Sequence, residues 1–139
     1  MDRVRRILEQ VNFKKDGLVP AIAQDQKTGQ VLMLAYMNRE ALEHTLRSGK
    51  MHYYRRSTGR LWLKGEESRK YQFVRAIRVN CYEDSLLFLV DQVDAGCHEG
   101  YFSCYFREFG EDGELVTIAE RVFDPDEVYG RESSPSTEV

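Results

Sequence analysis

No stretch of the chain approaches the roughly 18 consecutive apolar residues that a membrane-spanning helix needs, so no membrane partner is expected. The first residues, MDRVRRILEQV, are basic, but they lack the apolar core and small-residue cleavage site of a secretory signal. The protein is therefore expected in the cytosol. A positive excess is also missing: the formal charge is −3, which speaks against general nucleic-acid binding. There is no internal repeat and no dividing linker, so the 139 residues read as one domain over 1–130. The polar tail 131–139, RESSPSTEV, is expected to be disordered. Cysteine is scarce, with three in the chain and no tight C-x2-C pair. In a reducing cytosol an odd, small set of thiols reads as metal-binding or catalytic rather than as a disulfide frame.

What is present is concentrated. Residues 80–106, NCYEDSLLFLVDQVDAGCHEGYFSCYF, hold Cys81, Cys97 and Cys104, with His98 directly after Cys97. Three thiolates suit one Zn²⁺ and leave a fourth position open, the pattern of catalytic sites, whereas four-ligand sets are structural. The spacing C-x15-C-x6-C is by itself a weak zinc signal, and three unrelated thiols buried as small apolar residues fit it equally. A second concentration is cationic: Arg55, Arg56, Arg60, Lys64, Arg69, Lys70, Arg75 and Arg78 crowd one quarter of an acidic chain. They suit an anionic small molecule, or else a solvated strand edge charged against aggregation.

The periodicities predict an α+β domain with a mainly antiparallel sheet and a few helices, because strands arrive as hairpins without βαβ alternation. Val4, Ile7, Leu8 and Val11 have helical spacing, and Asp2 can cap that helix. Residues 18–24 and 30–37 read as a hairpin across a Gly-containing turn, the second strand being an apolar run expected to be buried. Asn38 caps a helix over 39–47 that Gly49 closes, with His44 on its surface. A basic, aromatic hairpin follows over 51–56 and 60–64, in which Trp62 reads as core. Strands are expected over 71–79, 85–90, 101–108 and 114–118, and Asp124 could start a short terminal helix.

GCHEGYFSCYF, LWLKGEES and DQKTGQVLMLAYMNREAL, in this order and at these separations, resemble phosphoribosyl-AMP cyclohydrolase of histidine biosynthesis over about 22–107, and FDPDEVYG resembles the end of that family. The resemblance implies an intertwined homodimer with zinc between subunits. Cys81, Cys97 and Cys104 fall at its zinc-ligand positions and His98 at a residue placed to move protons. It implies hydrolytic opening of the adenine ring at N1–C6 by zinc-activated water. Arg56, Ser57, Arg60, Lys64, Glu66 and Ser68 match or adjoin the substrate-facing segment, where arginine forks suit phosphates of a phosphoribosyl nucleotide.

The chain also departs from this pattern. The family's D-C-D-x-D, which holds Mg²⁺, is here Asn80-Cys81-Tyr82-Glu83-Asp84, leaving Asp84 as the one residual carboxylate in register. Mg²⁺ prefers a near-octahedral oxygen set, so its site is expected to be weakened or lost. Ser-Gly becomes Ser68-Arg69, the small hydroxyl residue after Cys-His becomes Glu99, and a serine becomes Arg55; the roles of these three are left open. Two other readings follow: a diverged zinc hydrolase of another phosphorylated purine-like or amidine compound, and a non-catalytic zinc-stapled dimer that binds a nucleotide. A zinc deaminase is a poor reading, because the H-x-E and P-C-x-x-C signature is absent.

Overall fold

The computed structural model describes residues 2–93 and 100–122. Cys97, His98 and Glu99, the helix expected from Asp124 and the tail from 131 lie outside the described residues. The chain runs through α1 (Arg3–Gln10), β1 (Val19–Asp25), β2 (Val31–Met37), α2 (Arg39–Ser48), β3 (His52–Arg55), β4 (Arg60–Leu63), β5 (Gln72–Val79), β6 (Leu86–Gln92), β7 (Arg107–Phe109) and β8 (Leu115–Thr117). Six strands form one sheet in the order β4-β3-β2-β1-β6-β5, and β7 pairs with β8 separately. Every pairing is antiparallel except β1 with β6. The sequence carried no sign of that parallel pair, because it joins strands about 60 residues apart through everything between them.

Local chemistry starts and stops the helices. The Asp2 carboxylate accepts from Arg5 N at 2.9 Å and the Asn38 side chain from Ala41 N at 2.8 Å, each satisfying an otherwise orphan donor. Gly49 ends α2 at φ 78°, a left-handed cap that costs glycine nothing. Thr45, on the buried face of α2, accepts from His52 N at 2.8 Å and donates to His52 O at 3.2 Å. This hydroxyl serves the start of β3 as a neighbouring strand would.

The sheet curls until its β5 edge meets the lead-in to β3, close to the opposite edge. Met51 N donates to Gln72 O at 3.0 Å and Val74 N to Gly49 O at 2.8 Å, so the lead-in to β3 pairs with the start of β5. The enclosed core takes alternate residues of β1 (Val19, Ala21, Ala23) and β6 (Leu86, Phe88, Val90), with Leu32, Met33, Ala35 and Met37 of β2. Leu8 of α1, Ala41 and Leu42 of α2, and Met51 and Tyr53 complete it. Two expectations change here. The run over β2 is not wholly buried: Val31 and Leu34 are 43% and 36% exposed, because Leu34 lies on the outward face of the strand and the register shift between Ala23↔Met33 and Gln24↔Val31 turns Val31 outward as well.

The strand expected over 101–108 is confined to Arg107–Phe109. Tyr101 and Phe106 stack with ring centroids 3.8 Å apart, whereas a strand would hold them about 16 Å apart, so the chain doubles back between them. Individual bonds replace a ladder: Ser103 Oγ donates to Val31 O at 2.7 Å and Cys104 N to Leu32 O at 2.7 Å. The β7–β8 ribbon is exposed throughout, with Phe109, Leu115, Val116 and Ile118 open to solvent.

Candidate active site

Cys81 and Cys104, the two described members of the thiol set, sit at opposite ends of β6. Cys81 is an exposed residue of the turn that feeds β6, since Val79 pairs with Leu86 at its start. Cys104 lies two residues beyond Phe102, whose carbonyl accepts from Gln92 Nε2 at the end of β6. Its own N–H is held by Leu32 O, half-buried against the core. The seven residues Leu86–Gln92 extend about 20 Å. A zinc ion reaches thiolates at about 2.3 Å, so Cys81 and Cys104 of one chain are far too distant to share one.

The turn that carries Cys81 is closed on itself. Asn80 Oδ1 accepts from Asp84 N at 2.9 Å and Ser85 N at 3.0 Å, and Asn80 Nδ2 donates to Asp84 Oδ1 at 2.6 Å. An aspartate at position 80 has no hydrogen to donate there. Asp84 Oδ2 pairs with Lys14 Nζ at 2.7 Å. Lys14 first and Asn80 second hold the Asp84 carboxyl below its ordinary 3.8. The sign follows: this pairing stabilises the fold above the ordinary carboxylate range, and the contribution is lost as pH falls through the lowered value. Lys14→Ala is expected to raise the Asp84 midpoint in a carboxyl-carbon NMR titration; an unmoved midpoint would refute the pairing. Glu83 stands at φ 55°, and its carbonyl accepts from Asn12 N at 2.7 Å, tying the turn to the segment after α1.

The cationic residues gather on the β3–β4 hairpin and the loop after it. The Arg55 guanidinium lies 4.6 Å and the Lys64 ammonium 5.3 Å from the centre of the Trp62 ring. The Arg56 guanidinium stacks 4.2 Å from the Tyr36 ring. Cation–π contact helps to hold these groups at fixed positions. Arg60 stands directly across from Arg55, two like charges that an anion between them would relieve. Ser57 and Arg60 are exposed at the hairpin tip, and Arg55 Nε is buried without a hydrogen-bond partner among the described residues. Trp62 is partly buried and packs on the core, as expected, and does so 5.7 Å from the Tyr53 ring.

The loop 65–70 is shaped by its own backbone. Gly65 is buried at φ +94°, and a Cβ there would lie 2.7 Å from Lys70 C. Arg69 N donates to Gly65 O at 2.6 Å, and Ser68 Oγ accepts from Lys70 N at 3.2 Å. Glu66 and Glu67 are exposed. Arg69, at φ 61°, occupies the left-handed region where the resembled family has glycine. Arg69→Gly is expected to stabilise the protein by about 0.5–1 kcal/mol in denaturant unfolding, by relieving that backbone. An unchanged or lower midpoint would mean that the guanidinium contributes more than the strain costs.

Residue composition alone did not reveal a polar line through the core. Tyr53 Oη donates to Gln72 Oε1 at 2.8 Å, Gln72 Nε2 to Gln92 Oε1 at 2.7 Å, and Gln92 Nε2 to Phe102 O at 2.6 Å. Burial pushes the Tyr53 phenol well above its ordinary range, and the nearby Cys104 thiol adds to this. Gln72 fell inside the strand expected over 71–79 and Gln92 just past the one expected over 85–90, and no local pattern marks either amide as buried, which hid them. His52 was also missed. It is buried, its Nδ1 lies 2.8 Å from Lys50 O and its ring 5.4 Å from the exposed His44. Desolvation lowers its pKa first, and His44 lowers it further, against the backbone bond to Lys50, which raises it.

Tyr53 therefore joins two features: its ring meets Trp62 of the cationic hairpin, and its environment includes Cys104. Cys81 belongs to the other end of β6 from Cys104. Among the described residues no cluster of three or more His, Cys, Asp and Glu forms within the chain.

The sequence is similar to those of known proteins. The family model for phosphoribosyl-AMP cyclohydrolase matches residues 33–106. A phosphoribosyl-AMP cyclohydrolase of Nitratidesulfovibrio vulgaris is 56% identical over 117 residues, covering 84% of this chain and 92% of that protein. One from Rhodospirillum rubrum is 51% identical over 122 residues, covering 88% and 85%. The histidine biosynthesis bifunctional protein HisIE of Thermoanaerobacter pseudethanolicus is 43% identical over 131 residues, 94% of this chain and 60% of that protein. The chain is thus an enzyme of the cyclohydrolase class, within the hydrolases. It belongs to the phosphoribosyl-AMP cyclohydrolase family.

Proposed function

We propose that this chain is a zinc-dependent phosphoribosyl-AMP cyclohydrolase of histidine biosynthesis, opening the adenine ring at N1–C6, and that it works as a homodimer. The observation that carries the reading is the separation of Cys81 and Cys104 along β6. Their thiols can serve one ion only if Cys81 of one copy meets Cys104 of another. The exposed turn of Cys81 suits such a meeting, and so does the exposed apolar β7–β8 ribbon, since an isolated two-stranded hairpin is marginal in water. Zinc held by these thiolates supplies Lewis acidity that makes water nucleophilic near neutral pH.

The chain's own groups do the rest. Arg56, Ser57 and Arg60 at the hairpin tip bind the substrate phosphates, with Lys64 fixed against Trp62 beside them. Ser68 and Glu66 hold the ribose side of the ligand, and His98 passes the proton that the ring nitrogen gains on opening. Mg²⁺ does not fit the Asn80–Asp84 turn: both Asp84 oxygens and Asn80 Oδ1 already carry bonds within the chain. No step runs through it.

Purified protein with zinc is expected to turn over phosphoribosyl-AMP, followed by absorbance, and to do so at an unchanged rate when Mg²⁺ is withheld. A rate that depends on Mg²⁺ would overturn the reading of the turn. The closed Asn80–Asp84 turn favours a second reading, a zinc hydrolase of another phosphorylated purine-like or amidine compound. Zinc bound without turnover of phosphoribosyl-AMP would select it. Zinc bound with no hydrolysis of any such compound would leave a nucleotide-binding dimer stapled by metal.

A further inference from the structure

The core contains an arrangement that folding does not require. Gln72 is fully buried among Leu, Met, Phe and Val, where an apolar residue of equal volume would need no partner. Instead it forms the middle of a series, from the Tyr53 hydroxyl through two amides to the Phe102 carbonyl. The direction of the series is forced from its far end. A carbonyl can only accept, so Gln92 must present its NH₂ to Phe102. Its oxygen then faces Gln72, which must answer with NH₂, leaving the Gln72 oxygen for a donor. The Tyr53 hydroxyl is that donor, kept protonated by burial. Gln92 cannot flip without breaking both of its bonds in the series, and Gln72 cannot flip without breaking its bond to Gln92.

The series ends two residues before Cys104. The same short segment is also held by β2, through Ser103 Oγ on Val31 O and Cys104 N on Leu32 O. Ser103 Oγ also accepts from Tyr105 N at 2.9 Å. No strand ladder spans 102–105, so bonds of this kind help to fix its backbone. The β2 bonds tie the segment to one strand of the sheet and the Gln92 bond ties it to another, with β1 between the two.

We propose that Tyr53, Gln72 and Gln92 are positioning residues, a one-way hydrogen-bond relay that orients the Cys104 thiol for metal. The role of Cys104 in this proposal rests on the zinc reading above. The relay also connects the two halves of the site within one chain. Tyr53 packs on Trp62, against which Arg55 and Lys64 are held, so the cationic hairpin and the thiol are referenced to one rigid line.

The test uses full-length Gln92→Met, which keeps volume and removes the bond to Phe102. In metal-free protein the rate of Cys104 alkylation is read by peptide mass spectrometry, with Cys81 as internal reference. In loaded protein, zinc affinity is measured by chelator competition and the cobalt–thiolate bands by absorption. Gln92→Met is expected to speed Cys104 alkylation, weaken zinc about 10–100-fold and shift the cobalt bands. Tyr53→Phe, at the other end, is expected to act in the same direction with a smaller effect, and it serves if Gln92→Met does not fold. Leu86→Ala, at the far end of β6, controls for general loosening and is expected to leave Cys104 alkylation unchanged. Unchanged alkylation in the relay variants overturns the proposal whatever the metal does, as does equal acceleration in Leu86→Ala. Faster alkylation in the relay variants, alongside a wild type that binds no zinc, would sustain the relay and overturn the zinc reading alone.

Discussion

Cys81→Ala and Cys104→Ala, each expected to have only background activity and no bound zinc, are expected to recover both when co-expressed. The argument is geometric. The two thiols of one chain are separated by the length of β6, about 20 Å. In a two-fold dimer every site then takes Cys81 from one copy and Cys104 from the other. A mixed pair has one site missing both residues and one site complete. Random pairing makes about half of the dimers mixed, and each carries one good site of two, so about a quarter of wild-type activity per chain is recovered. Zinc content should follow the same fraction. Differently tagged copies, purified through both tags, should reach about half. Mixed dimers that form but stay inactive and metal-free would overturn the shared site. Activity in either variant alone would remove that cysteine from the ligand set.

The second large effect concerns Gly65 in the KGE segment. Two separate penalties fall on Gly65→Ala. Its φ of +94° is outside the range that side chains accept readily, and the new Cβ would meet Lys70 C at 2.7 Å, Lys70 O at 2.8 Å and Tyr71 N at 2.9 Å. These are backbone atoms at the entry to β5, so relief requires moving the strand that carries Gln72. A loss of about 3 kcal/mol or more is expected, together with a fall in activity, because Lys64, Glu66 and Ser68 are held by the same loop. Gly29→Ala isolates the backbone penalty. That residue has φ +77° and nothing within 4 Å of a Cβ, so about 1 kcal/mol is expected there. Equal losses at the two positions, measured by denaturant unfolding, would mean that the close approach at Gly65 carries no cost.

Much of this protein could be read before any coordinates, and the reason is the range over which each signal acts. Caps, turn glycines and periodicity are local. Asp2, Asn38 and Gly49 bounded their helices, and the two hairpins of β1–β2 and β3–β4 appeared where alternation and Gly-containing turns placed them. The order of motifs around Cys81, Cys97 and Cys104 was enough to identify the family. The Asn80–Asp84 departure was visible as letters, but its meaning was not. Only the structure shows that Asn80 exchanges a carboxylate for a donor and that Asp84 is committed to Lys14.

What the tertiary structure alone decided is whatever depends on residues far apart in the chain meeting in space. The parallel β1–β6 pair, the return of the sheet onto Gly49–Met51, and the doubling back of 101–106 come from long-range pairing that no local pattern encodes. The three cysteines could be named from their order in the chain. That Cys81 and Cys104 stand a strand's length apart followed from the register of β5 on β6 and the bond between Gln92 and Phe102. Sequence specifies ligand types and local turns because those are properties of neighbouring residues. Distance between ligands is a property of the folded sheet.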